Sequence, residues 1–130
     1  MIYVDSSVLT AVLLHESAHE HLQARLMRGG LFSSLLLEAE VQSALQREKL
    51  PREAFEQFGE LMTWITPTRS LKSEISEVLD CGYLRGADLW HVSCAVYAFR
   101  NRRKVEFFSL DKNQRAVAAK CGFKLYPGKL

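Results

Sequence analysis

The chain has 130 residues, of which 48% are hydrophobic, 25% are charged and 10% are aromatic. A chain of this length buries roughly two-thirds of its unfolded surface around one core, so we expect one domain over residues 1–130 and exclude a disordered protein. Seventeen Lys and Arg against fifteen Asp and Glu leave a formal charge of +2. This balance excludes a globally basic nucleic-acid binder and restricts any such contact to a local patch.

Strands and helices alternate in the first half of the chain. The run Ile2–Val4 is β-branched and aromatic and ends at a polar turn, where Ser6 or Ser7 is expected to cap the next helix. The pair Gly29-Gly30 is a strong helix stop, and Pro51 suits the first turn of a helix. The predicted elements are strands at Ile2–Val4, Leu31–Ser34 and Thr63–Thr66, and helices at Val8–His15, Ser17–Arg28, Leu35–Lys49 and Pro51–Met62.

The same alternation continues to the end of the sequence. The predicted elements are helices at Leu71–Gly82, Ala87–Arg100 and Asp111–Lys120, and strands at Lys104–Ser109 and Phe123–Tyr126. Helices between successive strands make right-handed crossovers, so this order predicts a three-layer α/β/α fold with a mostly parallel central sheet. Ligands bind such sheets beyond the carboxyl ends of the strands, and this rule directs the search for a site.

Cysteine usage and hydropathy indicate the compartment. Cys81, Cys94 and Cys121 are odd in number and lack CxxC spacing, which is typical of thiols in a reducing cytosol and not of a disulfide framework or a zinc site. The longest apolar run, Val8–Leu14, is far shorter than the ~20 residues of a membrane-spanning helix. No basic segment precedes an apolar stretch at Met1, so no signal peptide is expected. We therefore expect a cytoplasmic protein without a membrane segment.

Four acidic residues do not fit the usual place of such side chains on solvated helix faces. Asp5 and Asp111 closely follow predicted strands, whereas Glu40 and Asp88 lie near the starts of apolar helices. Clustered carboxylates raise one another's pKa and cost stability unless cations compensate them, and Mg²⁺ and Mn²⁺ suit an all-oxygen site. The acids that do fit solvated helix faces are Glu16, Glu20, Glu48, Glu53, Glu56, Glu60, Glu74 and Glu77.

Each of the unusual aspartates also has a purely structural interpretation. Asp5 and Asp88 would serve as N-caps of helices, and Asp111 would be a turn residue after a strand. We favour a shared metal site because it accounts for all these positions at once. The structural interpretation has to be invoked separately for each one.

Four short motifs in chain order resemble the signature of the PIN-domain family. They are Asp5-Ser6-Ser7, Ser34 with Glu40 six residues later, Ala87-Asp88-Leu89-Trp90-His91 and Ser109-Leu110-Asp111. The resemblance spans essentially the whole chain, and the most similar branch is that of the VapC-type ribonuclease toxins of prokaryotic toxin–antitoxin operons. It implies a PIN fold in which Asp5, Glu40, Asp88 and Asp111 hold one or two Mg²⁺ or Mn²⁺ ions and cleave RNA.

The resemblance also assigns supporting roles. Ser6 corresponds to the small hydroxyl residue after the first aspartate, and Ser109 stands where the family frequently has Thr. His91 lies three residues after Asp88 and so shares its helix face, where it is either a metal or phosphate neighbour or, as we favour, a structural residue packed near the site.

One position of the quartet has a rival within the same helix. Glu38 and Glu40 are separated by a single residue, so they point to different faces of the predicted helix. The spacing from Ser34 favours Glu40.

The resemblance further implies an RNA substrate, a small antitoxin protein that fills a groove built by early helices, and a homodimer. The apolar helix predicted at Pro51–Met62 is a candidate for such a surface. The alternative is a non-catalytic PIN module that binds RNA or a protein partner, which would be marked by loss of acidic residues. A phosphate-accepting receiver domain would need adjacent acids after the first strand, whereas here Ser6 follows Asp5.

Overall fold

The computed structural model describes residues 1–130 and contains one five-stranded sheet. Its strands are β1 (Ile2–Val4), β2 (Leu31–Ser34), β3 (Met62–Ile65), β4 (Glu106–Phe108) and β5 (Lys124–Tyr126). The strand order is β3-β2-β1-β4-β5 and every neighbouring pair is parallel. All five strands were predicted from the sequence, with ends that differ by up to two residues.

Seven α-helices and two 3₁₀ turns connect these strands. The helices are α1 (Ser6–Leu13), α2 (His19–Met27), α3 (Leu36–Arg47), α4 (Glu56–Gly59), α5 (Lys72–Cys81), α6 (Gly86–Ala98) and α7 (Lys112–Lys120), and the 3₁₀ turns are Arg52–Phe55 and Arg102–Lys104. None of the helices combines the length and the apolar character that a membrane crossing requires.

Apolar clusters cover both faces of the sheet, because successive residues of a strand point to opposite sides. Ile2 and Val4 of β1 pack with side chains of α1, α2 and α3, whereas Tyr3, between them, packs with side chains of α5, α6 and α7. The predicted three-layer α/β/α architecture with a parallel sheet is confirmed.

The helix predicted at Pro51–Met62 is confirmed only in part, because the helical conformation ends at Gly59. This segment forms the 3₁₀ turn, the single turn of α4 and then β3, which begins at Met62. Phe55 and Phe58 are both buried in the apolar cluster that includes side chains of α1 and α3. Their burial explains the helical spacing of apolar residues, although the segment is not one long helix. These two rings therefore belong to the core, whereas Leu61 of the same segment is exposed.

The order in which strands are added to the sheet reverses between β1 and β4, and this reversal determines where the site lies. β1 pairs with β2 on one side and with β4 on the other, so crossover connections leave the centre of the sheet in opposite directions. Val4 of β1 is in register with Phe108 of β4, and the Asp5 amide donates to the Phe108 carbonyl at 2.9 Å. The carboxyl ends of these two strands therefore form the crevice where doubly wound sheets bind ligands.

Candidate active site

Asp5 lies directly after β1 and is the N-cap of α1. Its backbone is extended (φ −88°, ψ 156°), and its Oδ2 accepts a hydrogen bond from the Ser7 amide at 3.1 Å. The expected cap at Ser6 or Ser7 is therefore wrong, because these serines are the first two residues of α1. The Asp5 side chain is almost fully buried, and its Oδ1 accepts a bond from Gln114 Nε2 at 3.3 Å. The structural interpretation of Asp5 as an N-cap is therefore confirmed.

Asp111 occupies the equivalent place after β4. It is the N-cap of α7, and its Oδ1 accepts from the Gln114 amide at 2.7 Å. The free N–H groups of a helix N-terminus stabilise a carboxylate at this position. In contrast to Asp5, the Asp111 side chain is exposed to solvent.

Asp88 is the third residue of α6 and is half-buried. The cap position of this helix is Arg85, which makes no side-chain capping bond, so the interpretation of Asp88 as an N-cap is wrong. Burial raises the pKa of Asp88, and the neighbouring charges of Asp5, Asp111 and Glu40 raise it further, whereas His91 acts in the opposite direction. The carboxyl group of Asp88 therefore faces an excess of negative charge.

Asp5, Asp88 and Asp111 line one open cleft of about 420 Å³. The other lining residues are Ser6, Ser7, Thr10, Glu16 and Leu110. Glu16 was assigned to a solvated helix face, but it lies in the turn between α1 and α2 and adds a fourth carboxylate to the cleft. Its position depends on the path of that turn, which hydrophobic periodicity does not reveal.

Glu40 is connected to the aspartates through a buried histidine. Its Oε1 lies 2.6 Å from His91 Nε2, and the same nitrogen is 3.8 Å from Asp5 Oδ1. Glu38 is exposed and lies instead beside Arg52, Glu53 and Glu56 on the outer surface. Of the two rival glutamates, the structure thus brings Glu40 toward Asp5 and leaves Glu38 outside.

His91 is fully buried and joins Glu40 to Tyr3. The Tyr3 hydroxyl lies 2.8 Å from His91 Nδ1, and burial raises the pKa of Tyr3 well above its usual value. The phenol therefore stays protonated, and the two ring nitrogens of His91 lie within hydrogen-bonding distance of Tyr3 on one side and Glu40 on the other. This arrangement agrees with a structural role for His91 beside the site.

The two predicted supporting serines differ in their surroundings. Ser6 is half-buried at the start of α1 and lines the cleft. Ser109 is fully buried; its Oγ donates to Gln114 Oε1 at 2.7 Å and accepts from the Asp111 amide at 3.1 Å. Ser109 therefore orders the loop that carries Asp111, and it does so together with Gln114, which the sequence did not indicate as a site residue.

The donor chemistry of the cleft fits a hard divalent cation. Its side chains are carboxylates and hydroxyls, the oxygen ligands preferred by Mg²⁺ and Mn²⁺, and no cationic side chain lines it. In the present arrangement no three Asp, Glu, His or Cys side chains converge on one point as a coordination group. The residues able to hold an ion are therefore the cleft aspartates, with Glu40 approaching from the side of His91.

The chain matches the PIN domain family over residues 2–120. It belongs to that family. PIN domains are generally nucleases and generally use divalent metal ions. Comparison with curated proteins gives no significant match. In this PIN domain, acidic side chains lie at the carboxyl ends of β1 and β4. Any function assigned to the domain has to account for this arrangement.

Proposed function

We propose that this PIN domain, formed by residues 1–130, is an endoribonuclease that depends on Mg²⁺ or Mn²⁺. The observation that carries the proposal is the shared cleft of Asp5, Asp88 and Asp111 at the reversal point of the sheet. Family membership supports nuclease activity, and the resemblance of the motifs to those of VapC-type toxins supports RNA as the substrate.

The protein groups have distinct roles in this proposal. Asp5, Glu40, Asp88 and Asp111 hold the divalent ions, which supply charge neutralisation at the phosphate and an activated water when bound. The Ser7 amide orients one oxygen of Asp5, and His91 orients Glu40. Ser109 fixes the start of α7 and with it Asp111. The open side of the cleft leaves room for the RNA backbone.

The biological role that we propose is that of a toxin in a type II toxin–antitoxin pair. Its support is the motif resemblance to the VapC-type branch, which also implies a small antitoxin partner, a homodimer and a cytoplasmic setting. A neighbouring gene for a small DNA-binding protein, together with co-purification of its product as a stable complex, is the expected finding.

RNA cleavage by the purified chain tests the enzymatic proposal. We expect a panel of structured and single-stranded RNAs to be cut at internal positions with Mg²⁺ or Mn²⁺ and to remain intact with EDTA. Undiminished cleavage in EDTA would exclude the metal-dependent mechanism. Tight RNA binding without any cleavage would favour the alternative, a non-catalytic PIN module.

A further inference from the structure

Gln114 is the buried polar side chain that connects the most parts of the candidate site. It is the third residue of α7, is fully buried, and has no counterpart in the motifs that identified the site. A buried amide is costly unless its hydrogen-bonding groups are satisfied. The partners that satisfy Gln114 all belong to the segments that carry the cleft aspartates.

The chemistry of these partners fixes which way the amide faces. The Ser109 hydroxyl accepts from the Asp111 amide, so its own proton is free to be donated to Gln114 Oε1 at 2.7 Å. Gln114 Nε2 faces Asp5 Oδ1 at 3.3 Å and the Asp88 carbonyl at 3.4 Å. Both of these groups only accept hydrogen bonds, so a reversed amide would place an oxygen against two acceptors.

Gln114 is the only side chain within hydrogen-bonding distance of the Asp5 carboxylate. The other donor to Asp5 is the backbone amide of Ser7, which bonds the opposite carboxylate oxygen. His91 Nε2 is farther from Asp5, at 3.8 Å, and is already engaged by Glu40 at 2.6 Å. Two donors, one on each oxygen, therefore define the plane of the Asp5 carboxylate, and one of them is removable by mutation.

The same residue also contacts the other two aspartates of the cleft. Its backbone amide donates to Asp111 Oδ1 at 2.7 Å, and its side chain donates to the main chain of Asp88. Gln114 thus links the end of β1, the first turn of α6 and the first turn of α7. These three segments are far apart in sequence and meet at one side chain.

We propose that Gln114 is a positioning residue that holds Asp5 in its metal-binding orientation relative to Asp88 and Asp111. This inference rests on the proposed function, because it concerns how the same cleft receives its metal ion. Gln114 itself does not line the cleft. Loss of an outer hydrogen-bond partner of a metal ligand typically costs 10–100-fold in metal affinity or activity, and we expect about that loss here.

Two substitutions remove the amide donor in different ways. Gln114→Met keeps a chain of similar length without polar atoms, and Gln114→Glu keeps the size and the acceptor for Ser109 but replaces the donor to Asp5. The matched control is Val117→Ala, which creates a small defect one turn later on the same helix, where Val117 is buried away from the aspartates in the cluster beneath α5 and α6.

Three measurements on variants of the 130-residue chain test the proposal. In Mn²⁺ titrations we expect both Gln114 variants to bind about 10–100-fold more weakly than the wild type, and Val117→Ala to bind as tightly as the wild type. In RNA cleavage we expect kcat to fall by a similar factor with little change in KM, because Gln114 lies beneath the cleft and outside its lining. Crystal structures without metal should show the Asp5 carboxylate rotated in Gln114→Met and unmoved in Val117→Ala.

The outcomes separate this inference from the proposed function. An unmoved Asp5 carboxylate together with wild-type Mn²⁺ affinity in both Gln114 variants would overturn the positioning role. Equal losses of Mn²⁺ affinity in Gln114→Met and Val117→Ala would also overturn it, because the effect would then be general destabilisation. If the wild type cuts no RNA, the proposed function fails, and the crystal structures and the Mn²⁺ titrations still decide the role of Gln114.

Discussion

Glu74 and Asp88 occupy the same position in two helices that pack together, yet the pKa values of their carboxyl groups shift in opposite directions. Each is the third residue of its helix, α5 or α6, where the helix dipole favours a negative charge. Arg69 binds Glu74 with two hydrogen bonds, at 3.0 Å and 2.5 Å, and lowers the pKa of Glu74. Asp88 has no such partner, and burial and three neighbouring carboxylates raise its pKa.

An acidic residue in a first helical turn therefore does not by itself indicate a site. In the sequence, the two residues differ in the apolar character of the helix that follows, which is greater after Asp88. In the structure, the physical distinction is the presence or absence of a nearby cation. The Glu74 region brings its own positive charge, whereas the cleft region has an unbalanced set of carboxylates that suits an added metal ion.

The strongest test of this contrast is the removal of one carboxylate from each region. We expect Asp5→Asn to lower RNA cleavage by more than the ~100-fold typical of losing an outer partner of a metal ligand, because Asp5 is proposed to bind the metal directly. The fold should remain intact, since Asn caps a helix about as well as Asp. Cleavage rates and circular dichroism provide the measurement. Glu74→Gln is the control and should cleave RNA at the wild-type rate.

A second test compares the two glutamates of α3. Glu40→Gln keeps an acceptor for His91 but removes the charge, and we expect it to lose most of the cleavage activity. Glu38→Gln should cleave normally and change stability by no more than about ±0.5 kcal/mol, as is usual for surface positions. Parallel cleavage assays and thermal scans decide between them. Reversed results would mean that Glu38 belongs to the site and Glu40 does not.

A third test uses the metal ion as a stabilising ligand of the cleft. Mg²⁺ at a hundredfold excess over its dissociation constant should stabilise the folded chain by about 2.7 kcal/mol, because the unfolded chain lacks the site. For a protein of this size the melting temperature should rise by roughly 5–10 °C. Asp88→Asn should flatten this response, whereas Glu74→Gln should retain it. An identical response of wild type and Asp88→Asn would exclude Asp88 from the metal site.

The smallest expected effect is on stability in EDTA and its dependence on pH. Because the pKa of Asp88 is raised in the folded state, its contribution to stability is present below the unfolded pKa of about 3.9 and is lost as the pH rises. Asp88→Asn should therefore melt slightly higher than the wild type at pH 7, a gain limited by solvent screening, and this gain should vanish near pH 4.

Glu74 provides the opposite sign in the same measurement. Its pKa is lowered by Arg69, so its contribution is present above the unfolded pKa and is lost as the pH falls through the folded value. Glu74→Gln should therefore melt lower than the wild type at pH 7, and the deficit should close on acidification. Thermal scans from about pH 3.5 to about pH 7.5 measure both trends, because this interval runs from the usual carboxyl pKa values to neutral pH. If the melting temperatures of Asp88→Asn and Glu74→Gln changed in the same direction relative to the wild type, the proposed difference between the two carboxylates would be contradicted.

The sheet was predictable because its strands contain short apolar runs, such as Ile2–Val4, in which successive side chains are buried on opposite faces. Ile2–Val4 and Leu31–Ser34 were identified with their observed ends. The segment after Pro51 was not predictable, because Phe55, Phe58 and Met62 fit a helical period although Met62 already belongs to β3. Hydrophobic periodicity indicates that these side chains face the core, but it does not indicate whether each of them belongs to a helix or to a strand.

The site was predictable to the extent that its acids follow strand ends or open helices. Asp5 and Asp111 could be placed at one edge of a parallel sheet from the order of the elements alone. Glu16 and Gln114 could not, because an acidic residue in a turn and a polar residue inside a helix are common in any sequence. Their roles depend on which side chains lie opposite them, and only the tertiary structure provides that information.

The pairing of β1 with β4 also bears on when the site comes into existence during synthesis. Asp5 is made first, but its amide bonds to Phe108 and its carboxylate bonds to Gln114, which are translated about a hundred residues later. Contacts of such long range form late and slowly compared with local ones. A growing chain therefore carries Asp5 long before it acquires the complete arrangement, which forms only after α7 has emerged and joined the sheet.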